Sequence, residues 1–386
     1  MFYGGRLDVF LLTCGDFVDY WASSQAHPLT VSAGLDQDKA AEELMQIDGI
    51  NYRQDEVTAM AHSPDHGDGA TFTVYRDEFR AVLGSRFQRP VLMQTNAHEG
   101  PVYVVAEHAL YFTTVPEPGP KNIAIKRLQL AGDEFPFRAL ALDTIQSPSN
   151  MANGMTRDHT GRLVICEQGT RETPARISRM DLKTRSIETV VDQWRGLHLN
   201  SPNDVVVKSD RTIWFTDPNY GEIQGFKGAP EVGSYVYRHD PATGETAVVA
   251  DGFNKPNGLA FSPDESVLYV TDTGANQAPG TYFVGLPHHV HAFDVHDGRH
   301  LRNERLFAVV SPGIPDGIKL DVQGRVYTSS ATGVQVFTSE GDLLGEIMAP
   351  GVANFTFGGP NNDVLFILGD TQIWQVKLQV AGARTS

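Results

Sequence analysis

Cysteine is scarce in this chain, which has only two, Cys14 and Cys166, among 386 residues. Two distant cysteines provide neither a disulfide framework nor the paired spacing of a cysteine zinc site. Cys166 lies in an apolar, alternating segment and is expected to be a buried thiol. A disulfide-stabilised scaffold and a zinc-finger protein are therefore excluded.

Long apolar runs are also missing, because no stretch of about 18 consecutive apolar residues occurs. We therefore predict no membrane partner. The segment VFLLTCGDFV, residues 9–18, has some features of a secretory leader, but it is short, contains Asp16 and is preceded by a single Arg6. The prediction is a cytoplasmic protein, with secretion as the alternative.

Positive charge is the third scarcity, since 31 lysines and arginines face 47 aspartates and glutamates, a formal charge of −16. Such a chain repels a polyanion, so we predict no nucleic-acid partner. The serine-hydrolase elbow, the P-loop and the dinucleotide-binding glycine motif are absent. HEGPV, residues 98–102, is not the HExxH motif of a zinc protease.

A repeat is what the sequence does contain. From about residue 88 onward, short β-rich runs alternate with turn signals, and helical periodicity is nearly absent. Six segments share a polar residue, an alternating run, a charged turn and a second β-rich run. Their equivalent polar positions are Glu99, Asn153, Asn203, Asn257, Asp316 and Asn354.

Six units of about 50 residues each predict an all-β fold, a six-bladed β-propeller with four antiparallel strands per blade. The last repeat has room for only three strands, so we expect Arg89–Thr95 to complete that blade and join the two ends of the chain. We assign residues 1–85 to an N-terminal extension, with a helix-compatible segment at 37–47, and residues 86–386 to the propeller domain.

The innermost strand of every propeller blade lines a central channel, so residues at one repeat position meet around one axis. Glu99, Asn203, Asn257 and Asp316 would bring two carboxylates and two amide oxygens together there. Buried carboxylates repel one another and are unfavourable to desolvate, and a bound cation offsets both effects. All-oxygen ligation favours Ca²⁺, with Mg²⁺, Mn²⁺ or Zn²⁺ as alternatives. A polar channel filled with water is the other interpretation.

The motifs around these positions resemble those of the gluconolactonase/regucalcin (SMP-30) family, and more closely its fungal-type lactonohydrolase branch. Any single motif is weak, whereas the combination, spread over roughly residues 75–380, is specific. YRDEFRAVLG, from Tyr75, is similar to the segment that leads into the propeller in that branch. The other matching segments are HEGPVY from His98, NSPNDVVVKSDRTIWFTDPNYG from Asn200, PNGLAFSPD from Pro256 and PDGIKLDVQGRVY from Pro315.

The resemblance implies a metal-dependent hydrolase that opens a lactone ring. The divalent cation would be held by the four oxygen residues named above, and it would polarise the carbonyl group. Asp316 and Glu99 would be the catalytic residues, with Asp316 activating water or acting as the nucleophile. The substrate, a small lactone, would be contacted by Asn153, His198, Asn203 and Tyr220.

Two positions depart from the family pattern. Many relatives have a Lys-Arg pair where this chain has Leu197 and His198, and many have Glu-His-Gly where it has residues 167–169, Glu-Gln-Gly. The first change removes fixed positive charge and several hydrogen-bond donors. We therefore expect a preference for bulkier or less hydroxylated lactones over sugar lactones.

Other functions stay open on the sequence. The same cation could polarise a phosphoryl oxygen, which would make the chain a phosphotriesterase or another esterase. The same ligands would also suit a non-catalytic calcium-binding propeller. His289 and His291 share one strand face and could form a metal pair, although we interpret them as exposed strand or loop histidines.

Overall fold

A computed structural model describes residues 65–66, 71–116 and 122–383 of the chain. In these ranges strands follow one another with very little helix: α1 is Glu78–Leu83, α2 is Tyr220–Ile223, and Val105–Glu107 form a 3₁₀ turn. The predicted all-β class is confirmed. No helix within these ranges is both long and apolar enough to cross a membrane.

Six antiparallel sheets form the six predicted blades, each built from consecutive strands that run from the channel outward. Three strands precede blade I: β1 (Asp65–His66), β2 (Phe72–Val74) and β3 (Val91–Gln94). Blade I contains β4 (Ala97–Val104), β5 (Ala109–Thr114), β6 (Ile125–Ala131) and β7 (Arg138–Gln146). Blade II contains β8 (Ala152–Arg157), β9 (Leu163–Glu167), β10 (Arg176–Met180) and β11 (Ile187–Val191). A short hairpin, β12 (Gln193–Trp194) and β13 (Leu197–His198), leads to the next blade.

The second half of the chain repeats the same plan. Blade III contains β14 (Val205–Val207), β15 (Ile213–Asp217), β16 (Tyr235–Asp240) and β17 (Glu245–Ala250). Blade IV contains β18 (Pro256–Phe261), β19 (Val267–Asp272), β20 (His289–His296) and β21 (His300–Val309). Blade V contains β22 (Ile318–Leu320), β23 (Val326–Ser329), β24 (Gly333–Phe337) and β25 (Leu343–Met348). Blade VI begins with β26 (Asn354–Gly358), β27 (Val364–Gly369) and β28 (Gln372–Lys377).

The hydrophobic core lies between neighbouring blades. The second strand of each blade is buried on both faces, which explains why these strands read as continuous apolar and aromatic runs. At the seam between blades III and IV, Trp214 packs edge-on against Phe261 with ring centroids 5.3 Å apart. Such contacts remove large apolar surfaces from water and hold the blades together.

Blade VI is closed by the N-terminal strand β3, as the sequence predicts. β3 pairs antiparallel with β28, and Gln94 lies opposite Gln372 while Met93 lies opposite Ile373. The pairing covers the outer edge of β28, which would otherwise be open to another chain. Segments from the two ends of the propeller thus form a single sheet.

The described part of the predicted N-terminal extension packs on blade V. Strand β2 extends the blade by pairing with β25, and helix α1 follows it. Phe79 of α1 is fully buried, and a Cβ at Gly345 of β25 would overlap its ring, so glycine is needed there. The leader-like segment 9–18, Cys14 and the helix-compatible segment 37–47 lie outside the described residues, and the boundary at 85/86 stays a prediction.

Candidate active site

The six polar repeat positions all lie at the start of an inner strand. Glu99 is in β4, Asn153 in β8, Asn257 in β18 and Asn354 in β26, while Asn203 and Asp316 stand two residues before β14 and β22. All but Asp316, which is partly exposed, are at least nine-tenths buried. The structure therefore places the six positions in the channel at equivalent points of the six blades.

Hydrogen bonds at or next to these positions cross three of the six seams between neighbouring blades. Gly154 N donates a hydrogen bond to Asn203 O at 2.8 Å, and Gly317 N donates to Ala353 O at 3.0 Å. Asn354 Nδ2 donates to Glu99 Oε2 at 2.8 Å, across the seam where the last blade meets the first. We refer to Glu99, Asn153, Asn203, Asn257, Asp316 and Asn354 as the polar ring.

A glycine directly follows the polar residue in four of the six blades: Gly100, Gly154, Gly258 and Gly317. A Cβ at any of the first three would overlap the backbone carbonyl oxygen of the polar-ring residue that it faces across the seam. At Gly317 it would overlap the side chain of Asn354. The repeated polar-glycine pair therefore reflects the close approach of blades at the axis.

Glu99 is 3% exposed and is held in one orientation. Its Oε2 accepts hydrogen bonds from Asn354 Nδ2 and from Gly100 N, the second at 3.1 Å. Burial raises the pKa of Glu99, although the charge of the adjacent His98 opposes the shift. Burial lowers the pKa of His98 itself, but Asp370, whose Oδ1 lies 2.7 Å from His98 Nδ1, outweighs burial and raises it to about 9.

Three carboxylates share the channel. Burial raises the pKa of Asp316 well above its usual value, and the negative charge of Glu99 adds to the shift. Asp204, which follows Asn203 where four other blades have glycine, is also buried, and burial raises its pKa while the Lys319 ammonium opposes the shift. Negative charge concentrated in this way is stabilised by a cation.

Several polar-ring oxygens lack a partner. Glu99 Oε1, Asn153 Oδ1, Asn203 Oδ1 and Asn257 Oδ1 are buried and accept no hydrogen bond from the described residues. A buried acceptor without a donor is unfavourable by about 1–3 kcal/mol, so these oxygens fit a bound cation, and oxygen is the ligand that Ca²⁺ and Mg²⁺ prefer. Three of the four belong to the predicted metal ligands.

The amide oxygens are necessary for such a site. Within the described ranges, no group of three or more His, Cys, Asp and Glu side chains is placed to hold a metal ion. Carboxylates alone therefore do not complete a coordination sphere here. The predicted site is an all-oxygen donor set, formed by the carboxylates of Glu99 and Asp316 and the amides of Asn203 and Asn257. Hard cations such as Ca²⁺ prefer oxygen ligands, whereas zinc sites use mainly histidine nitrogen and cysteine sulfur.

Tyr220, predicted to contact substrate, is 8% exposed and lies against Asn257. Its hydroxyl accepts a hydrogen bond from Asn257 Nδ2 at 3.1 Å and also bonds Thr273 Oγ1. Because the amide nitrogen is occupied, Asn257 leaves its oxygen free for the channel. A direct contact between Tyr220 and substrate stays a prediction.

His198 lies in the hairpin between blades II and III. It ends the hairpin strand β13, and its backbone N donates to Glu231 Oε2 at 2.9 Å. With Asn200, Lys227 and Glu222 it lines a cavity of about 270 Å³, and no polar-ring residue lines that cavity. Its neighbour Leu197 is 41% exposed. The predicted substrate contact of His198 would therefore involve a part of the substrate that extends away from the ring.

His289 and His291 lie in strand β20, and both are half-buried rather than exposed. Their ring centroids are 5.9 Å apart, and Nδ1 of His291 is 3.1 Å from Glu304 Oε1. Within the described residues, no group of three or more His, Cys, Asp and Glu side chains is placed to hold a metal ion, and the two histidines with Glu304 do not form one. Cys166, the cysteine within the described ranges, is a buried thiol.

Sequence reasoning overlooked two contributors to the site. The repeat places Asn354 at a ring position without indicating its role, and in the structure its amide orients Glu99. Asp204 does have a sequence signal, because it follows Asn203 where four other repeats have glycine. The pairing of His98 with Asp370 joins distant parts of the chain and leaves no local signal.

Comparison with known proteins matches both the fold and the motifs. A profile of the SMP-30/Gluconolactonase/LRE-like region matches residues 97–369. The chain is 29% identical over 309 residues to lactonohydrolase oryL of Aspergillus oryzae, which covers 74% of this chain and 69% of that protein. It is 31% identical over 293 residues to a gluconolactonase of Zymomonas mobilis, which covers 74% and 79%.

Solved structures agree with the sequence matches. A gluconolactonase from Xanthomonas campestris superimposes with a TM-score of 0.67 at 33% identity, over 82% of this chain and 97% of that one. A calcium-binding regucalcin from Agrobacterium tumefaciens has a TM-score of 0.57 at 16% identity, over 77% and 95%, and supports the fold alone.

Proposed function

Because the chain belongs to the SMP-30/gluconolactonase/LRE-like family, we propose that it is a lactonase, which adds water to the cyclic ester of a lactone and releases a hydroxy acid. Curated relatives named for this activity match over 74% of the chain. The observation that carries the proposal is the set of buried, unpartnered oxygens in the polar ring.

The cation would be held by Glu99, Asn203, Asn257 and Asp316. Three of these have an oxygen without a partner, and the fourth, Asp316, is partly exposed to the channel. When bound, a divalent ion supplies a Lewis acid that polarises the ester carbonyl. Ca²⁺ suits the all-oxygen set best, and Mg²⁺ or Mn²⁺ suits it next.

The chain's own groups would carry the remaining chemistry. Asp316 accepts the proton of the water that attacks the carbonyl carbon, and the proton then passes to the leaving ring oxygen. Asn354 and Gly100 keep Glu99 in its orientation through its Oε2. Asn153, whose Oδ1 is free of other partners, orients the substrate from blade II.

Removing and restoring the cation tests the proposal. Treatment with EDTA is expected to abolish hydrolysis, measured by pH-stat with aldonolactones, aliphatic lactones and aromatic lactones, and Ca²⁺ should restore it. A paraoxon-like phosphotriester in the same panel separates a phosphotriesterase from a lactonase. Full lactone hydrolysis in a verified metal-free preparation would contradict the cation requirement, and cation binding without any hydrolysis would indicate a binding protein.

The hairpin between blades II and III supports a narrower proposal about substrate. Leu197 exposes apolar surface, and His198 lines the neighbouring cavity where many relatives have a Lys-Arg pair. A histidine ring has at most two N–H donors, whereas a guanidinium has five. Lactones with fewer hydroxyl groups should therefore be better substrates than sugar lactones.

Restoring the pair as Leu197→Lys with His198→Arg tests this preference. The kcat/KM for gluconolactone relative to an alkyl lactone should rise about ten- to a hundred-fold, since a charged hydrogen bond contributes roughly 1.5–3 kcal/mol. Both proteins are compared at equal cation occupancy. An unchanged ratio, or a natural protein that already prefers gluconolactone, would rule out this pair as the determinant.

A further inference from the structure

The second strand of four blades has a threonine as its next-to-last residue. These are Thr113 in β5, Thr216 in β15, Thr271 in β19 and Thr328 in β23, and all four side chains are fully buried. Cys166 and Leu368 occupy the position in blades II and VI. A hydroxyl repeated at one buried position requires a partner, and these partners lie at the polar ring.

Three of the hydroxyls cross from one blade to the next. Thr113 Oγ1 donates to Asn153 O at 3.1 Å, and Thr216 Oγ1 donates to Asn257 O at 2.6 Å. Thr271 Oγ1 donates to Asp316 O at 3.0 Å. Each acceptor is the backbone carbonyl of the polar-ring residue in the following blade.

Thr216 and Thr271 also contact their own blade. Thr216 Oγ1 accepts a hydrogen bond from Asp204 N at 3.1 Å, and Thr271 Oγ1 lies 3.3 Å from Gly258 O. Each hydroxyl thus connects the segment after one polar-ring residue with the carbonyl of the next one. Separate sheets share no ladder hydrogen bonds, so these hydroxyls fix the relative height of adjacent inner strands.

Among the described residues, the remaining seams have no threonine hydroxyl that crosses to the next blade. Between blades II and III, where Cys166 takes the position, the carbonyl of Asn203 instead accepts a hydrogen bond from Gly154 N. Thr328 bonds Gly317 O in its own blade at 3.2 Å. A seam-crossing hydroxyl therefore occurs at Asn153, Asn257 and Asp316, and the carbonyl of Asn203 is bound by backbone.

We infer that Thr216 and Thr271 are positioning residues for the cation, and that Thr113 is a positioning residue for the substrate. The inference rests on the proposed function, in which Asn257 and Asp316 are cation ligands and Asn153 contacts the lactone. None of the three threonines touches cation or substrate. They act by holding the backbone from which a ligand side chain projects.

Substitution by valine, which keeps the shape and removes the hydroxyl, separates the two roles. Thr216→Val and Thr271→Val should weaken Ca²⁺ binding, measured by calorimetry on the metal-free protein, by roughly three- to tenfold, the effect of losing one hydrogen bond. Thr113→Val should leave Ca²⁺ affinity unchanged and raise KM for the preferred lactone of the panel by a similar factor. Serine at each position should restore the natural value.

Thr114→Val is the matched control. Thr114 neighbours Thr113, is equally buried, and accepts a hydrogen bond from Ala124 N rather than bonding a polar-ring residue. It should lower the melting temperature without changing Ca²⁺ affinity or KM. If a valine variant does not fold, the serine and alanine variants at that position provide the same comparison, since both lack the methyl group and only serine keeps the hydroxyl.

The outcomes distinguish the inference from the proposed function. If the natural protein binds no divalent cation, both the inference and the proposed function are overturned. If the natural protein binds Ca²⁺ and hydrolyses lactones, and the Thr216 and Thr271 variants bind Ca²⁺ as tightly as it does, only the positioning role is overturned. Equal loss of affinity in Thr114→Val and Thr216→Val also overturns it, because the effect would then follow general destabilisation.

Discussion

Asp316 differs from the other polar-ring residues because it combines a carboxylate, partial exposure and a seam-crossing contact at its backbone. Its side chain faces the channel next to Glu99, and its carbonyl oxygen is held by Thr271. Glu99 has one oxygen fixed by two donors, whereas Asp316 is the carboxylate that water in the channel can reach. Those features suit a proton acceptor better than a purely structural ligand.

Asp316→Asn is expected to lower turnover by at least about 10² while the protein stays folded. The amide keeps the shape and one oxygen donor but does not accept the proton of the attacking water. The measurement is kcat at saturating Ca²⁺, with calorimetry to confirm that the ion is bound. If turnover stays within a few-fold of the natural protein at equal occupancy, another group is the base.

The inner strand is the element that gives the channel its geometry. Four inner strands place glycine after the polar residue, so that their backbones meet at the axis without overlap. Blade III departs from this rule and places the Asp204 carboxylate in the channel, and blade VI departs from it with Phe355. Glycine at these positions therefore allows the inner strands of neighbouring blades to approach closely.

Gly258→Ala is expected to disturb the ring directly, because the added Cβ would overlap Asp316 O and approach Ile318. We expect a loss of about 1–3 kcal/mol in the free energy of unfolding, as for other overpacked sites. Ca²⁺ affinity should fall with it. Denaturant titration and calorimetry measure the two effects.

Gly285→Ala is the control for this substitution, since a Cβ at Gly285 would meet open space. It should leave stability and Ca²⁺ affinity unchanged. Equal behaviour of the two alanine variants would show that the blades can separate at the axis without consequence for the site.

Much of this arrangement could be predicted because the repeat encodes it locally. Alternating runs and turn signals predict the strands, the equal spacing of the repeats predicts the blades, and the six equivalent positions predict the polar ring. The short last repeat also predicted the pairing of β3 with β28. These features depend on residues that are close together in the chain or recur at a fixed period.

The remaining features depend on which blades become neighbours, and no periodic pattern carries that information. Asn354 binds Glu99 across the closing seam, and His98 meets Asp370 there. Phe79 precedes the propeller, yet it is buried in the cluster with Val336 of blade V and Trp374 of blade VI. Nothing local to Phe79 specifies that position, because its partners lie near the other end of the chain.

A buried histidine, His239, is expected to make the stability of the whole protein depend on pH. His239 of blade III is 5% exposed, and Thr246 Oγ1 lies 2.9 Å from its Nδ1. Burial, with the positive charges of Arg179 and Arg238, lowers the pKa of His239 to about 4, although the charge of Asp240 opposes the shift. An unfolded histidine titrates near 6.5, so unfolded chains bind this proton first.

The natural protein should therefore lose stability as the pH falls from 6.5 toward 4, and keep this contribution in full above 6.5. His239→Gln, which can still bond Thr246, should lack that dependence. Relative to the natural protein, the variant should gain about 1–2 kcal/mol in the free energy of unfolding between pH 7 and pH 5. Urea titrations at pH 7 and pH 5 measure the free energy of unfolding of both proteins. If the difference between them is the same at the two pH values, His239 is not the group whose protonation destabilises the protein.

The pairing of β3 with β28 constrains the order in which the chain can fold during its synthesis. A ribosome releases β3 before any blade exists, yet its partner is the last strand of the propeller to be made. β3 therefore stays without this partner until five blades and the first two strands of blade VI have been made. A chain released early lacks the strand that closes the propeller, and its exposed strand edges favour aggregation with other chains.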